Sequence, residues 1–473
     1  MKIADNDFLK ELEKKVSEKI SEIKDSKSEY PRTASKYYYV SSIHGSDDND
    51  GLSEESPIAT LAKLNSLDLQ PGEVVLLERG STFWDQILTR PCVTYSAYGT
   101  GPKPNIFGIG KTADSPSDFE LTEYKNVWKV KRKFEHDIGN IIFDEGKACG
   151  VKRFSNYAEK NEKGETVYTR TDGVGKYTGL CDLNKNLEFH YDKEEKNVYL
   201  YFDKGNPADF FNSIIFAEHY STNVYLRHGV TVDNLCVKYS GAHGISGANV
   251  YKITVRNCEI AWCGGSILSK TTRFGNAVEI YGTCDEYYVL NNYIHDIYDT
   301  GITHQSWDGK AVYMNDCRYE GNVIERCVWN IEYINLGEYS ERNRMSHITI
   351  KNNILRFAGE GFGSLREQAD LPRDCHINGW PLQNPADNFV IEDNILDRAR
   401  RSLIDCGVKY AVHEPKMKGN TYIQYESEYL GFFGPYKKTG CRSEDEWLKF
   451  DENVDKTIME VLGDKEAKVY MVK

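Results

Sequence analysis

VDNLCV around Asn234, VRNCEI around Asn257, LNNYI around Asn292, EGNVI around Asn322, KNNIL around Asn353, EDNIL around Asn394 and KGNTYI around Asn420 are one phrase written seven times between Gly229 and Gln424. The asparagines are 23, 35, 30, 31, 41 and 26 positions apart. The shortest interval reads as the bare unit, and the longer ones as that unit with an insertion. A unit this small, rich in Val, Ile and Tyr and without helical periodicity, cannot bury an apolar face alone. It must stack on its neighbours. Each copy holds short runs that alternate apolar and polar residues between Gly, Asn and Asp. Stacked parallel strands place equivalent residues one above another, so a repeated Asn can form a hydrogen-bonded ladder. The expected fold is all-β, a right-handed parallel β-helix over 221–434. A β-sandwich would not explain one motif recurring seven times.

Outside the repeats, residues 6–27 place Phe8, Leu9, Leu12, Val16, Ile20 and Ile23 at three- and four-residue steps, which predicts an amphipathic helix. Residues 1–36 are read as this helix and a linker. Its stripe needs a partner, either the body of the chain or a second copy in a homo-oligomer. Residues 111–220 break the repeat and form a β-rich insertion, with a hairpin from Leu187 to Phe202. It lies either over the mouth of a cleft or simply packed against the coils. Residues 435–473 are the C-terminal cap, with Ser443 and Glu446 as a capping box and helical spacing at Trp447, Phe450, Ile458 and Val461.

Residues 37–110 carry a resemblance. A strand at Tyr39–Ser42, the loop GSDDNDG from Gly45 to Gly51, a short helix over Ala59–Leu67 and a PGE turn at Pro71–Glu73 lead into a strand at Val74–Glu78. This resembles the N-terminal entry and cap of the pectate-lyase-like β-helix superfamily. The resemblance implies the fold and a carbohydrate-active, glycoside-hydrolase-like enzyme. The same superfamily also holds lyases, epimerases and adhesins, so it does not fix the reaction.

Composition narrows the partners. Hydrophobic residues make up 40%, and 72 acidic against 59 basic residues give a net charge of −13. That disfavours nucleic acid, which needs a basic footprint. No apolar run is long enough for a membrane span, and the N-terminus has no apolar signal core. The expectation is a cytoplasmic protein, or an extracellular one if a signal has been removed. Twelve cysteines without a CxxC pair read as free, mostly core residues. No metal site is expected.

The chemistry should lie on the strand that follows each motif Asn by nine to eleven residues. With Ile245, Val278, Ile302, Ile331, Phe362 and Leu403 taken as inward, the next positions point outward: Ser246, Glu279, Thr303, Glu332, Gly363 and Ile404. Glu279 and Glu332 then share one column two strands apart, roughly 9–10 Å. Asp299 stands at the entry to the strand between them. These three are the candidate catalytic residues. His243, His304, Gln305 and Asp405 flank the surface. Insertions at 304–317, 335–346 and 363–388 add Trp307, Arg366 and Trp380 as candidate substrate-binding residues. Paired carboxylates in a cleft suit glycoside hydrolysis of a neutral oligosaccharide or polysaccharide side chain. No cofactor is needed. The rival is a polysaccharide lyase or uronate epimerase, with a base drawn from His304, His243, Tyr298 or Arg and with calcium on the acids. A non-catalytic glycan-binding shaft is the third alternative.

Overall fold

The computed structural model describes the chain except for residues 109, 155–157, 161–162, 164–165, 169–176, 220–221, 270–271, 307–312, 336–343, 366–373, 383–385, 409–413 and 436–445. Most of it is β, and its largest sheet is built mainly of parallel pairings. From Thr222 onward the chain visits three parallel ladders in turn. The first runs through His243–Arg256, Val278–Leu290, Tyr293–Ser306, Val323–Asn335, Cys375–Leu382, Ser402–Val408 and Tyr429–Pro435. The second continues the Val278 strand through Tyr313–Glu320, Arg344–Lys351 and Ala386–Glu392. The third stacks Glu259–Cys263, the start of the Tyr293 strand, the start of the Val323 strand, Ile354–Ala358, Ile395–Ala399, Thr421–Tyr425 and Lys468–Val472. Inward Ile, Val, Leu, Cys and Tyr from all three ladders form one continuous core.

The bends explain the repeated Asn. Asn292, Asn322, Asn353 and Asn394 each donate from backbone N and Nδ2 to the Oδ1 of the Asn one coil on, at 2.9–3.1 Å. Asn420 ends the series on Asp464. Each Nδ2 also reaches a main-chain carbonyl inside the coil, as Asn353 does to Tyr319 at 2.7 Å. Asn257 and Asn234 are not rungs of this ladder. Cys258 takes the rung position and donates its N–H to Asn292 Oδ1. Asn257 and Asn234 instead adopt the left-handed conformation of the residue before the rung, as do Asn291, Asn352 and Asp393. Asn tolerates that conformation better than most side chains, so one residue type serves two adjacent positions.

The ends are closed as physical necessity demands. The helix Leu61–Ser66, capped by Thr60, drives Leu61 and Leu64 into the core. At the far end the expected helix from Ser443 differs. Ser443 lies outside the described residues, Leu448–Lys449 is a short strand, and the described α-helix of this region is Val454–Thr457. Trp447, Phe450, Ile458 and Leu462 are buried, but Val461 is exposed.

The N-terminal helix, Asn6–Lys24 with Asp5 as its cap, lies along the third ladder. Its 19 residues span about 28 Å at ~1.5 Å each, and the six strand steps from Lys468–Val472 to Glu259–Cys263 cover about 29 Å. Phe8 stacks on Tyr470 at one end, and Lys24 pairs with Glu259 at the other. Leu12, Val16 and Ile23 are buried against Tyr293, Val323, Ile354 and Ile423. Most of the apolar stripe is thus packed against the body of the chain, the first of the two partners expected for it.

Residues 111–218 contribute small, mainly antiparallel sheets with their own core around Phe134, Ile141, Phe189 and Phe216. Glu188–Asp192 and Asn197–Tyr201 form the expected hairpin. Eleven cysteines fall among the described residues and all are free; eight of them are buried. No helix among the described residues is long and apolar enough to cross a membrane.

Candidate active site

Strand alternation builds the site on the first ladder. With Val278, Ile302 and Ile331 in the core, Glu279, Thr303 and Glu332 are in register and point the other way. The column continues differently from the sequence expectation. Gly363 belongs to a 3-10 turn, Phe362–Leu365, and Ile404 is a core residue. The strand beside Glu332 is Cys375–Leu382, so Asn378 and then Asp405 follow Glu332 in register. In the other direction Glu279 is preceded by Ser246, Tyr225 and Leu88. Acids therefore occupy alternate strands, with a neutral hydrogen-bonding residue between each pair.

Glu279 is held on three sides. His243 Nδ1 lies 2.7 Å from its Oε2, Asn276 Nδ2 donates to the same oxygen at 3.0 Å, and Gln305 Nε2 donates to Oε1 at 3.0 Å. Burial works to raise the Glu279 pKa, but the charge and hydrogen bond of His243, helped by Asn276 and Gln305, hold it below the usual value. Burial works to lower the pKa of His243, yet Glu279, with a contribution from Asp299, holds it above the ordinary value. The favoured state is an imidazolium beside a carboxylate. Arg273, a candidate partner for Glu279 on a merely solvated face, donates instead to the carbonyls of Gly265 and Gly139.

Glu332 accepts from Asn378 Nδ2 at 3.0 Å and from Thr300 Oγ1 at 3.3 Å. Asp299, next to that threonine, donates its backbone N–H to the Gly275 carbonyl and is 8% exposed. Asn276 links the two acids, since its Oδ1 accepts from Thr300 N while its Nδ2 serves Glu279.

Of the substrate-binding candidates, the structure brings His243, Gln305 and Asp405 to this column. His304 is not on it. Two positions from Ile302, it shares the inward face, is fully buried, and contacts the Tyr319 hydroxyl and the Tyr333 ring. Burial pulls its pKa down to about 3, so it is a neutral core histidine. Trp307 and Arg366 lie outside the described residues. Trp380 belongs to the strand Cys375–Leu382, but its side chain lies outside what is described. The stretch 363–388 is not one insertion following the strand: its excess residues come before Cys375, and Phe362 folds back onto Trp262 and Tyr298. Asn276, Thr300 and Asn378 were missed by sequence reasoning. Only the strand register could have supplied them.

No family model matches the chain. Over 108 residues it is 49% identical to a lacto-N-biosidase of Bifidobacterium longum subsp. longum, a match covering 20% of this chain and 7% of that protein. The chain thus aligns with only a small part of that relative's length. Among solved structures, a GH136 lacto-N-biosidase from Eubacterium ramulus is 14% identical and covers 92% of this chain and 68% of its own, with a TM-score of 0.39. A complex of XylC with xylose gives 12% identity, coverage of 92% and 82%, and a TM-score of 0.41. A third, described as a glycoside hydrolase, gives 10% identity, coverage of 83% and 94%, and a TM-score of 0.47.

Proposed function

We propose that this chain is a right-handed parallel β-helix glycoside hydrolase acting on a neutral oligosaccharide or polysaccharide side chain. The observation that carries the proposal is the register column Glu279–Thr303–Glu332–Asn378–Asp405, with Glu279 clamped by His243, Asn276 and Gln305. Glycosidic cleavage needs one carboxyl to give a proton to the leaving oxygen and another, ionised, on the far side of the sugar. Glu279, Asp299 and Glu332 are the carboxyls proposed for that work. The local identity to a protein named as a lacto-N-biosidase supports the same class of chemistry.

The lyase reading loses support from its own candidate bases. His304 is in the core, His243 is committed to Glu279, and Tyr298 is fully buried with Arg273 over its ring. The oxygens of Glu279 already accept from N–H donors, which makes it a poor calcium ligand. The proposal needs no cofactor.

The test is hydrolysis by the purified protein of a panel of neutral oligosaccharides and 4-nitrophenyl glycosides, followed by release of new reducing ends. Unsaturated, ultraviolet-absorbing products from a uronate polymer would overturn the proposal in favour of elimination.

A further inference from the structure

Three features around Glu279 have no explanation in packing alone. A histidine from the preceding coil is placed 2.7 Å from one carboxylate oxygen, and its side chain is only 17% exposed. Two primary amides, Asn276 and Gln305, present N–H groups to the two oxygens. All the donors come from different parts of the stack: His243 begins one strand, Asn276 precedes the next, and Gln305 ends the one after. A carboxylate held by an imidazole and two amides from three coils cannot take up a proton on either oxygen without displacing an N–H donor.

We propose that His243 is a positioning residue that keeps Glu279 as the standing anion of the site, and that the proton donor is the second carboxyl of the column, Glu332. This rests on the glycosidase reading. Distance selects Glu332. It stands two strand steps from Glu279, roughly 9–10 Å along the backbone, whereas Asp405 stands four steps away, roughly 19 Å, beyond the span over which two carboxyls act on one glycosidic bond. Asp299 sits where its charge favours the imidazolium. Asn378 and Thr300 donate to Glu332, one to each oxygen. In the reaction the glycosidic C–O bond breaks with its electron pair going to the leaving oxygen, which takes the Glu332 proton. Water supplies a hydroxyl to the anomeric carbon and a proton that restores the starting protonation of the two carboxyls. Glu279 carries the negative charge facing the positive charge that develops on the sugar.

The backbone N–H of Asn276 lies 3.1 Å from the same His243 Nδ1 that meets Glu279. Glu279 and Asp299 are the anions facing this histidine, and the Phe274 ring meets it edge-on with centroids 5.1 Å apart. Across that ring lies His219, itself near His136, Asp137 and Lys152 and held below its ordinary pKa chiefly by burial. A charge on His219 would oppose one on His243, so the low pKa of the former protects the latter.

Two measurements test the proposal. Without substrate, long-range 1H–15N spectra of histidine-labelled protein follow His243 through pH in wild type and in Glu279→Gln. The midpoint should lie above the ordinary value of about 6.5 in wild type and fall in the variant. A midpoint at or below the ordinary value and alike in both overturns the clamp. With a 4-nitrophenyl glycoside that wild type hydrolyses, His243→Gln should lower kcat about 10- to 100-fold with KM little changed. The acid limb of kcat/KM should move to higher pH, because Glu279 without its cation is left to burial. Glu332→Gln should remove the alkaline limb. An acid limb that stays in place, or an alkaline limb that survives, overturns the assignment of roles. If wild type hydrolyses no glycoside, the glycosidase reading and the Glu332 role fall together, and the spectra still decide the clamp.

Discussion

Asn420 donates both its backbone N–H and its Nδ2 to one carboxylate oxygen of Asp464, at 3.0 and 3.1 Å. The other oxygen takes the N–H of Gly419 at 2.7 Å. A ladder of amides, each donating to the next, must end on a group that only accepts. A carboxylate is that group. Both residues are buried, so the end of the ladder and the end of the core are closed together.

Asn353→Ala should therefore be costly. It takes the acceptor from the backbone N–H and from one Nδ2 hydrogen of Asn322, and the side-chain donor from the carbonyl of Tyr319, all in the core. At ~1–3 kcal/mol for each buried unsatisfied group, a loss of about 3 kcal/mol or more is expected by thermal or denaturant unfolding. Asp464→Asn should cost less, since one oxygen remains an acceptor. Asn257→Ala, at a left-handed bend and off the ladder, should lose less than Asn353→Ala. Equal losses would mean that the ladder contributes nothing of its own.

The ion pair of His243 and Glu279 fixes a pH window for stability. Glu279 is held below its ordinary value, so its share is present above the unfolded carboxyl value of about 4.3 and is lost as pH falls through the folded value. His243 is held above its ordinary value, so its share is complete below about 6.5 and is lost as pH rises through the folded value. Both shares coexist between those limits. The difference in melting temperature between wild type and His243→Gln should be largest there and should shrink on either side. A flat difference from pH 4 to 9 would mean that the two groups are not charged together.

Replacing a reacting carboxyl by its amide preserves shape and removes the proton path. Glu279→Gln and Glu332→Gln should each lose about 10²–10⁴-fold in turnover while Glu332→Gln keeps its melting temperature within a few degrees. Asp405→Asn, two steps beyond Glu332, should affect binding more than turnover. A fully active Glu332→Gln protein would remove Glu332 from the reaction.

What could be read from sequence follows from how local the cause is. Alternation alone put Glu279, Thr303 and Glu332 in one column, because each lies beside an apolar residue that must face the core. The same rule, counted two places on from Ile302, puts His304 inside, and its chemistry as a histidine is no guide against that parity. The column was lost at Gly363 because the segment before Cys375 has no counterpart in other coils, and a repeat cannot predict what is not repeated. His243 and Glu279 are 36 residues apart, and only register between strands brings them together. Asn234 and Asn257 misled for a different reason. An amide suits both the ladder and the left-handed bend before it, so the residue type cannot separate two positions one residue apart.

The helix Asn6–Lys24 covers more than apolar surface. Beneath it Arg356, 4% exposed, donates to Asp397 at 2.9 Å, contacts Glu325 at 3.5 Å, and bonds Glu13 of the helix itself. Arg398 also reaches Glu13. These charges are stable where they are because each is paired, and removing one partner of such a buried group is costly. Leu12→Ala opens a gap against the strands and should cost about 2–3 kcal/mol. Arg356→Met takes one cation from Asp397 and Glu325, which keep Arg398 and Arg326, and should cost about 1.5–3 kcal/mol. Deleting residues 1–30 removes Leu12 and Glu13 together and also exposes Val323 and Ile354, so the truncated chain should melt well below wild type or precipitate. The first ladder, with Glu279 and Glu332, lies on a different face of each coil. Leu12→Ala should therefore lower the melting temperature while leaving kcat and KM at temperatures below unfolding unchanged. A truncated protein with unchanged melting temperature would mean that the helix leaves its face in solution.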